Sequence, residues 1–557
     1  MNSRREKPGL ARLHRFFSSG WSQVPFRIRN AHWSIKILLA CSALTAWQMT
    51  AHISADEVGQ ITRFYAFKLG WPGTTPMPWE FHEMIRTWFQ TMVYLPFAWA
   101  YTMLAGIKPM QVERVVHLLN LILLLVAIIY SGRLLRSLQR DGGPSAWVFA
   151  AMLWFIPSVY LRHSSEAFST CLLCLGFYHW HKSHEEKSGG GFITGILLGL
   201  AFLARYQVAL IIAPAWVYLA ISNHSYKKLL PWFIALGISC AIAFGVVIDY
   251  IGYGKLTFSA WGYFNQNLVQ NKAASFGTEP WYWYFRQVLQ FTANPWLLLF
   301  IIVAPALART TFTRAIAWGG LTFFIVHCAL GHKELRFLFP LLPVIAIISV
   351  ETFSRQWQGS ITRWIFHPKL ISAVVILNAT VMVLFTLFGP YKSKRWMGNY
   401  LLENLEPGST VFLSESMYNI YHDSFSKDTR QPALAHGGKV HNWNDVFLPP
   451  GIRLVFTVPA DFRKACSTDR SAFVYTTLVD KKKGQNVSFV DRKFTRPVFS
   501  QYPGSAMFSV YSWLHGLTGG SWYYKIRRFK IICCETIIDE TTTREMQDYR
   551  YHLYGKP

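Results

Sequence analysis

Residues 331–340 read Gly-His-Lys-Glu-Leu-Arg-Phe-Leu-Phe-Pro and lie between two apolar runs, Ala315–Leu330 and Phe337–Val350. His332, Lys333, Glu334 and Arg336 are costly groups to place in lipid. At a membrane face the same side chains can point into a wet cavity and hold an anion. Arg grips a phosphate through parallel N–H donors, and Lys adds a point charge. His332 and Arg336 stand at i, i+4, which would put them on one helical face. The plain alternative is a positive anchor at the end of a span. Glu334 among the cations favours a specific network over a bulk charge effect.

A second pair, Asp56-Glu57, follows the first apolar run. A carboxylate near a membrane interface can act as general base on an acceptor hydroxyl. Adjacent carboxylates on a helix face different ways, so one of the two is expected to face a cavity. The alternative is a solvated pair in a first helical turn. Arg205 interrupts a run that is apolar on both sides. It reads either as a functional cation or as a span-end Arg reaching for headgroups. Asp249 ends another run and has the same two readings. Arg162 and Glu166, at i, i+4, are spaced to pair with each other. Two connections are rich in aromatics: Trp79, Glu80 and Arg86 lie in one, and Trp281–Phe285, with Trp283 at its centre, in the other. An interfacial aromatic belt explains these. A platform for a sugar ring or lipid headgroup explains them equally.

These groups need elements to hold them, and composition says which. Of 557 residues, 52% are hydrophobic and 15% charged; soluble domains average about 25% charged. Apolar runs recur from Ser34–Thr50 to Leu370–Phe388. A span needs roughly 20 apolar residues, so the set predicts a polytopic all-α membrane protein of about 11–12 spans. The net charge of +26 is explained by Lys and Arg in short connections, where the positive-inside rule puts them. No zinc-finger spacing or RNA-binding signature accompanies it, which excludes nucleic acid as a partner. Among the eight Cys, the Cys171-x-x-Cys174 pair sits in an apolar run and reads as packing, as free Cys commonly does. Cys466, Cys533 and Cys534 lie in the tail, where a disulfide is open. No metal set or cofactor motif stands out, and the sequence is silent on metal need.

The basic arm 1–33 is expected to be cytosolic and to precede a retained anchor. Threading the spans from there puts Ala51–Arg86, Arg162–Glu166, Ala204–Gln207, Tyr250–Tyr284 and Gly331–Arg336 on one far face. Two runs, Trp88–Ala105 and Val115–Tyr130, lie where an odd number of crossings is required. A multi-span domain over 34–390 is expected, then a far-side domain over 391–557. Alternating runs at Thr410–Leu413 and Arg453–Thr457, with Gly/Pro turns, predict a mixed α/β unit there. Asn486-Val487-Ser488 is a glycosylation sequon.

Four elements in order resemble the Alg9-type, or family 22, mannosyltransferases. They are the Asp56-Glu57 pair, the Trp-Glu-Phe…Ile-Arg segment (Trp79–Arg86), the Gly-Thr-x-Pro-Trp-x-Trp-Tyr element (Gly277–Tyr284) and the His-Lys-Glu-x-Arg-Phe element (His332–Phe337). The Gly-Thr-x-Pro-Trp element is most similar to the branch that adds the third mannose in glycosylphosphatidylinositol synthesis. The resemblance implies a GT-C type glycosyltransferase fold in the endoplasmic reticulum membrane, or, for a bacterial relative, the inner membrane. It also implies a polyprenyl or dolichyl phosphate sugar donor, a lipid-linked glycan acceptor, and inverting transfer. Carried onto this chain, Asp56 or Glu57 is the base. His332, Lys333, Glu334 and Arg336 form the donor-phosphate site, joined by Arg205 on charge and placement more than on motif. Trp79, Glu80, Arg86, Trp281 and Trp283 form the sugar or lipid platform. The chain departs from the family pattern at Ser54-Ala55, where His-Pro is common, and at Leu335. Phe412–Ser416 stands in the tail where a Cys-His-Ser-Thr-Pro segment is usual. A multi-span transporter or flippase of an anionic lipid or solute is the alternative.

Overall fold

A computed structural model describes residues 33–48, 57–71, 74, 77–138, 153–186, 190–222, 229–292, 296–353 and 368–388, together with five strands of the tail. The longer helices are α1 (Trp33–Gln48), α2 (Phe89–Ala105), α3 (Pro109–Leu138), α4 (Ser165–Glu186), α5 (Gly191–Ala204), α6 (Ala209–Ser222), α7 (Leu230–Tyr253), α8 (Trp283–Thr292), α9 (Thr311–Ala329), α10 (Leu342–Phe353) and α11 (Pro368–Phe388). A π-helix, Glu57–Thr62, leads into the short helix Arg63–Lys68. Among the described residues, three stretches are long and apolar enough to cross a membrane: Gln111–Leu138, Leu230–Tyr253 and Thr311–Ala329. Shorter apolar helices accompany them at Lys36–Trp47, Gly191–Ala204, Tyr206–Ser222 and Ser372–Leu387.

The burial pattern is that of a bundle in lipid. On α7, Ile234, Gly237, Ala241 and Gly245 face inward, while Trp232, Leu236, Phe244 and Val247 are exposed. A helix apolar on both its buried and its open face suits lipid, which cannot satisfy polar groups. The tightest seam joins α5 to α7. Gly191, Gly195 and Gly199 recur every four residues on α5, and a Cβ at Gly195 would overlap the Ile234 carbonyl. Small residues at this spacing let two membrane helices approach backbone to backbone. The chain is an all-α polytopic membrane protein over these residues.

At one end of the bundle, Thr310 and Thr313 form a reciprocal capping box at the start of α9. Glu351 near the end of α10 accepts from the Arg309 N–H at 3.0 Å and the Thr313 hydroxyl at 2.9 Å. At its other end α9 delivers the chain to residues 331–334. The expected apolar run Phe337–Val350 is split here: Leu335–Leu341 is a 3₁₀ helix containing Pro340, and α10 begins after it.

In the tail, the strands β1 (Thr410–Ser414), β2 (Arg453–Thr457), β3 (Phe473–Leu478), β4 (Phe499–Ser500) and β5 (Arg528–Cys533) form one sheet in the order β2-β1-β3-β5-β4. β1 runs parallel to β2 and β3, and β5 runs antiparallel to β3 and β4. Thr410–Leu413 and Arg453–Thr457 are therefore strands, as their alternation predicts. Of the expected mixed α/β unit, the described residues show the sheet and no helix. Cys466, Cys534 and the sequon at Asn486 lie outside the described residues.

Candidate functional site

Two motifs far apart in sequence dock against each other. Gly277 has a φ of +110°, a conformation open to glycine and strained for other residues. Its carbonyl accepts from His332 Nδ1 at 3.0 Å. The Glu279 N–H donates to the Gly331 carbonyl at 2.9 Å. The Lys333 ammonium donates to the Glu279 carbonyl at 3.1 Å and to the Leu330 carbonyl. The Tyr284 hydroxyl donates to the Glu334 carbonyl at 3.2 Å. The backbone of the aromatic element thus holds the charged one.

Within the charged element, the shared helical face expected for His332 and Arg336 does not form. Residue 332 precedes the 3₁₀ helix, and the two side chains meet through Glu334 instead. Glu334 receives Arg336 in a forked pair at 2.6 and 2.9 Å, and His332 Nε2 lies 3.3 Å from it. The side chains of His332 and Glu334 are each 18% exposed, so the network opens to solvent. Burial alone would raise the Glu334 carboxyl. The Arg336 charge and the hydrogen bonds from His332 and Arg336 outweigh it and hold the group well below the ordinary carboxylate range. Burial alone would lower the His332 imidazole. Glu334 and the Gly277 carbonyl reverse that and leave it above its usual value. Burial lowers the Lys333 ammonium.

Arg205 joins the same cluster from the end of α5. Its guanidinium lies 3.2 Å from Glu166 Oε1, which is 3.7 Å from Arg336 Nε. One carboxylate at the start of α4 therefore spaces two guanidinium groups. Both also lie over the ring of Phe337, at 4.9 Å for Arg205 and 5.5 Å for Arg336. Sequence spacing pairs Glu166 with Arg162, and the structure corrects this. α4 begins at Ser165, so Arg162 lies in the turn before it and is not one helical turn away. Arg162 pairs with Glu57 at 3.3 Å, both side chains 2% exposed.

Glu57 is thus held inside the bundle. Asp56 lies outside the described residues. Asp249 has a structural job: it accepts from the Trp88 N–H at 2.7 Å and the Thr87 hydroxyl at 2.9 Å. Trp79 stacks on Phe276 at 6.4 Å and has the Lys272 ammonium over its ring at 4.2 Å, and Phe276 meets His332 at 6.0 Å. Glu80 is buried and accepts from Gln60 of the π-helix at 3.3 Å. Arg86 sits over Tyr263 at 5.3 Å. Trp281 is 66% exposed, whereas Trp283 is half-buried against Tyr284 at 5.2 Å. Of the aromatics expected as a platform, Trp281 is the open one.

Sequence reasoning missed two things. Glu166 as the carboxylate between two arginines carries no local signature. A buried group of Glu113, His117 and His163 does have one: Glu113 and His117 stand at i, i+4 on the apolar helix α3.

A bundle of apolar helices, with charged and aromatic side chains gathered where several of those helices end, defines a polytopic membrane protein with a polar anion-compatible site. A model of the Alg9-like mannosyltransferase family matches residues 33–406. The chain belongs to that family. It is 27% identical to GPI alpha-1,2-mannosyltransferase 3 of Xenopus laevis over 240 residues, 41% of this chain and 43% of that one. It is 27% identical to Mannosyltransferase APTG1 of Arabidopsis thaliana over 390 residues, 63% and 68% of the two chains. The human GPI alpha-1,2-mannosyltransferase 3 is 22% identical over 349 residues, 60% of each. The matches thus span between about two fifths and two thirds of these relatives' lengths. Among solved structures, ArnT from Cupriavidus metallidurans bound to undecaprenyl phosphate aligns with a TM-score of 0.47 at 10% identity, covering 82% of this chain and 93% of that one.

Proposed function

We propose that this chain is a membrane mannosyltransferase. It moves a mannosyl group from a polyprenyl or dolichyl phosphate sugar to a hydroxyl of a lipid-linked glycan, of the glycosylphosphatidylinositol precursor type. The observation that carries this reading is the spacing of Arg205 and Arg336 on Glu166, with Lys333 and His332 beside them. Arg205, Lys333 and Arg336 supply three fixed cations against Glu166 and Glu334, with Glu279 exposed beside Lys333, and His332 adds positive charge when protonated. The cluster lies next to an aromatic segment in a chain of this family.

The chemistry follows from that charge. Asp56 takes the proton of the acceptor hydroxyl as its oxygen bonds to the anomeric carbon from the face opposite the phosphate. The bond from that carbon to the phosphate oxygen breaks, and the electron pair leaves with the polyprenyl phosphate. The sugar is transferred with inversion. A phosphate leaving group needs no strong acid. Donors already fixed where its charge grows lower the barrier, and each is worth roughly 10²–10³ in rate in comparable sites. Glu334 and Glu166 hold the guanidinium groups in place for that task, and Glu57 acts as a positioning residue through Arg162. Trp281 offers its exposed ring to a sugar or lipid headgroup. The names of the eukaryotic relatives support the endoplasmic reticulum membrane as the location, with residues 391–557 as a domain on the lumenal face. Family membership leaves the transporter alternative without support.

Asp56→Asn tests the reading. It should leave the protein folded in membranes and lower mannosyl transfer from dolichyl phosphate mannose by about 10²–10⁴-fold. Full transfer by that variant removes Asp56 as base. Mass spectrometry of lipid-linked glycans in cells lacking the chain identifies the acceptor, since the truncated glycan accumulates.

A further inference from the structure

The first three turns of α3 place Glu113 and His117 on one face, and the turn before α4 brings His163 against them. All three side chains are fully or nearly fully buried. Their ligand atoms lie within 4.8 Å of one another, and the two imidazole rings are 5.6 Å apart. None of the three takes part in the transfer chemistry proposed above.

The hydrogen bonds around the group set its electronics. Glu113 Oε1 accepts from the Tyr65 hydroxyl at 2.8 Å and from the Thr62 hydroxyl. Glu113 Oε2 lies 3.4 Å from His163 Nδ1. On the other side of the ring, His163 Nε2 lies 3.1 Å from the Glu57 carbonyl. A carbonyl only accepts, so Nε2 carries the hydrogen, and a neutral ring then points its Nδ1 lone pair at the Glu113 carboxylate. Two electron pairs facing each other in a dry interior repel, and a cation between them removes the conflict. A separation of 3.4 Å is also about the edge of a tetrahedron whose ligands stand roughly 2.0–2.1 Å from a central zinc ion.

We infer that Glu113, His117 and His163 form a buried binding site for a divalent metal ion of the Zn²⁺ class. Two imidazoles and one carboxylate are the donor set such ions take. Ligands one helical turn apart recur in zinc sites because they share a helix face. The surroundings match as well. A metal-bound imidazole donates its second N–H to a backbone carbonyl, and a metal-bound carboxylate is itself hydrogen-bonded; the Glu57 carbonyl, Tyr65 and Thr62 fill those places. The ion fastens α3, the turn before α4 and the π-helix Glu57–Thr62 to one another, so its role is structural.

The test uses the full chain purified in detergent, with elemental analysis and Zn²⁺ itself as the probe. The expected result is about one zinc ion per chain, with a melting temperature that falls on chelation and recovers with Zn²⁺. His117→Asn should lose the metal. Tyr65→Phe keeps the ligands and should weaken zinc affinity by roughly 10-fold or more. It also keeps the test decisive should the ligand variant fail to fold. Replacement by Co²⁺ should give the visible absorption of a tetrahedral site. The inference is overturned if the wild-type chain is metal-free, Zn²⁺ leaves its melting temperature unchanged and no Co²⁺ band appears. In that event a proton on His163 Nδ1, making an imidazolium–carboxylate pair, accounts for the geometry. Equal zinc content in the wild type and in folded His117→Asn overturns it too.

Discussion

Two charge clusters flank one short stretch of chain, residues 162–166, and they are built in opposite ways. The inner one joins Glu57 to Arg162 and Glu113 to His163, with these side chains at 2% exposure or less. The outer one joins Glu166, Arg205, Arg336, Glu334 and His332, and opens to solvent at His332 and Glu334. Among the side chains named, carboxylates outnumber fixed cations inside, whereas outside two guanidinium groups match two carboxylates and His332, raised above its usual value, adds positive charge when protonated. Buried ion pairs gain little net stability, but breaking one strands a charge. An open cluster with spare positive charge keeps something to offer an anion. The inner cluster therefore reads as architecture and the outer one as chemistry.

The comparison breaks or sharpens on three measurements. The largest effect is expected from Glu57→Gln, which strands the Arg162 charge in the interior. It should destabilise the fold by about 3–5 kcal/mol, seen in thermal melts, with activity falling in step with the folded fraction. A stable Glu57→Gln protein that has lost transfer would place Glu57 in the chemistry instead. Next is Arg336→Gln, which should fold normally and lose roughly 10²-fold in transfer rate. If its melting temperature falls as far as that of Glu57→Gln, the two clusters do not differ in kind.

The smallest effect is on pH. His332 titrates above its usual value in the fold, so the stability it contributes is full below about pH 6.5. It is lost as pH rises through the folded value. Glu334 titrates below its usual value, so its contribution is full above about pH 4.3 and is lost only in stronger acid. Stability from this network should therefore peak between those limits and decline on the alkaline side. His332→Asn should remove that alkaline decline from the melting curve. An identical decline in the variant would mean that His332 is not its source.

Much of this was legible in the chain. Apolar runs announced the helices because lipid demands them, and the strands at Thr410 and Arg453 followed from alternation. Arg205, Lys333 and Arg336 stood out because charge at a span end is conspicuous. Which acid each base meets was not legible. Arg162 and Glu166 sit four apart, but that spacing means a shared face only inside one helix, and α4 starts between them. His332 and Arg336 failed as a helical pair for the same reason. Asp249 had two readings, functional or span-end, and serves instead as an anchor for the Trp88 backbone, a long-range partnership that no local pattern encodes. Glu113 and His117 had the right spacing, yet in a long apolar helix that spacing passes for ordinary burial.

The glycine seam between α5 and α7 has a mechanical consequence. α5 ends at Ala204, one residue before Arg205, and α7 ends at Tyr253, where the loop bearing Gly277 and Trp281 begins. Two helices in backbone contact bend together and slide little, so the pair behaves as a single beam. The distance between the arginine at one tip and the aromatic loop rooted at the other is then set by the beam, independently of the lipid around it. A bulky side chain at Gly195 would act as a shim, shifting the reach of the site from a position buried well within the bundle.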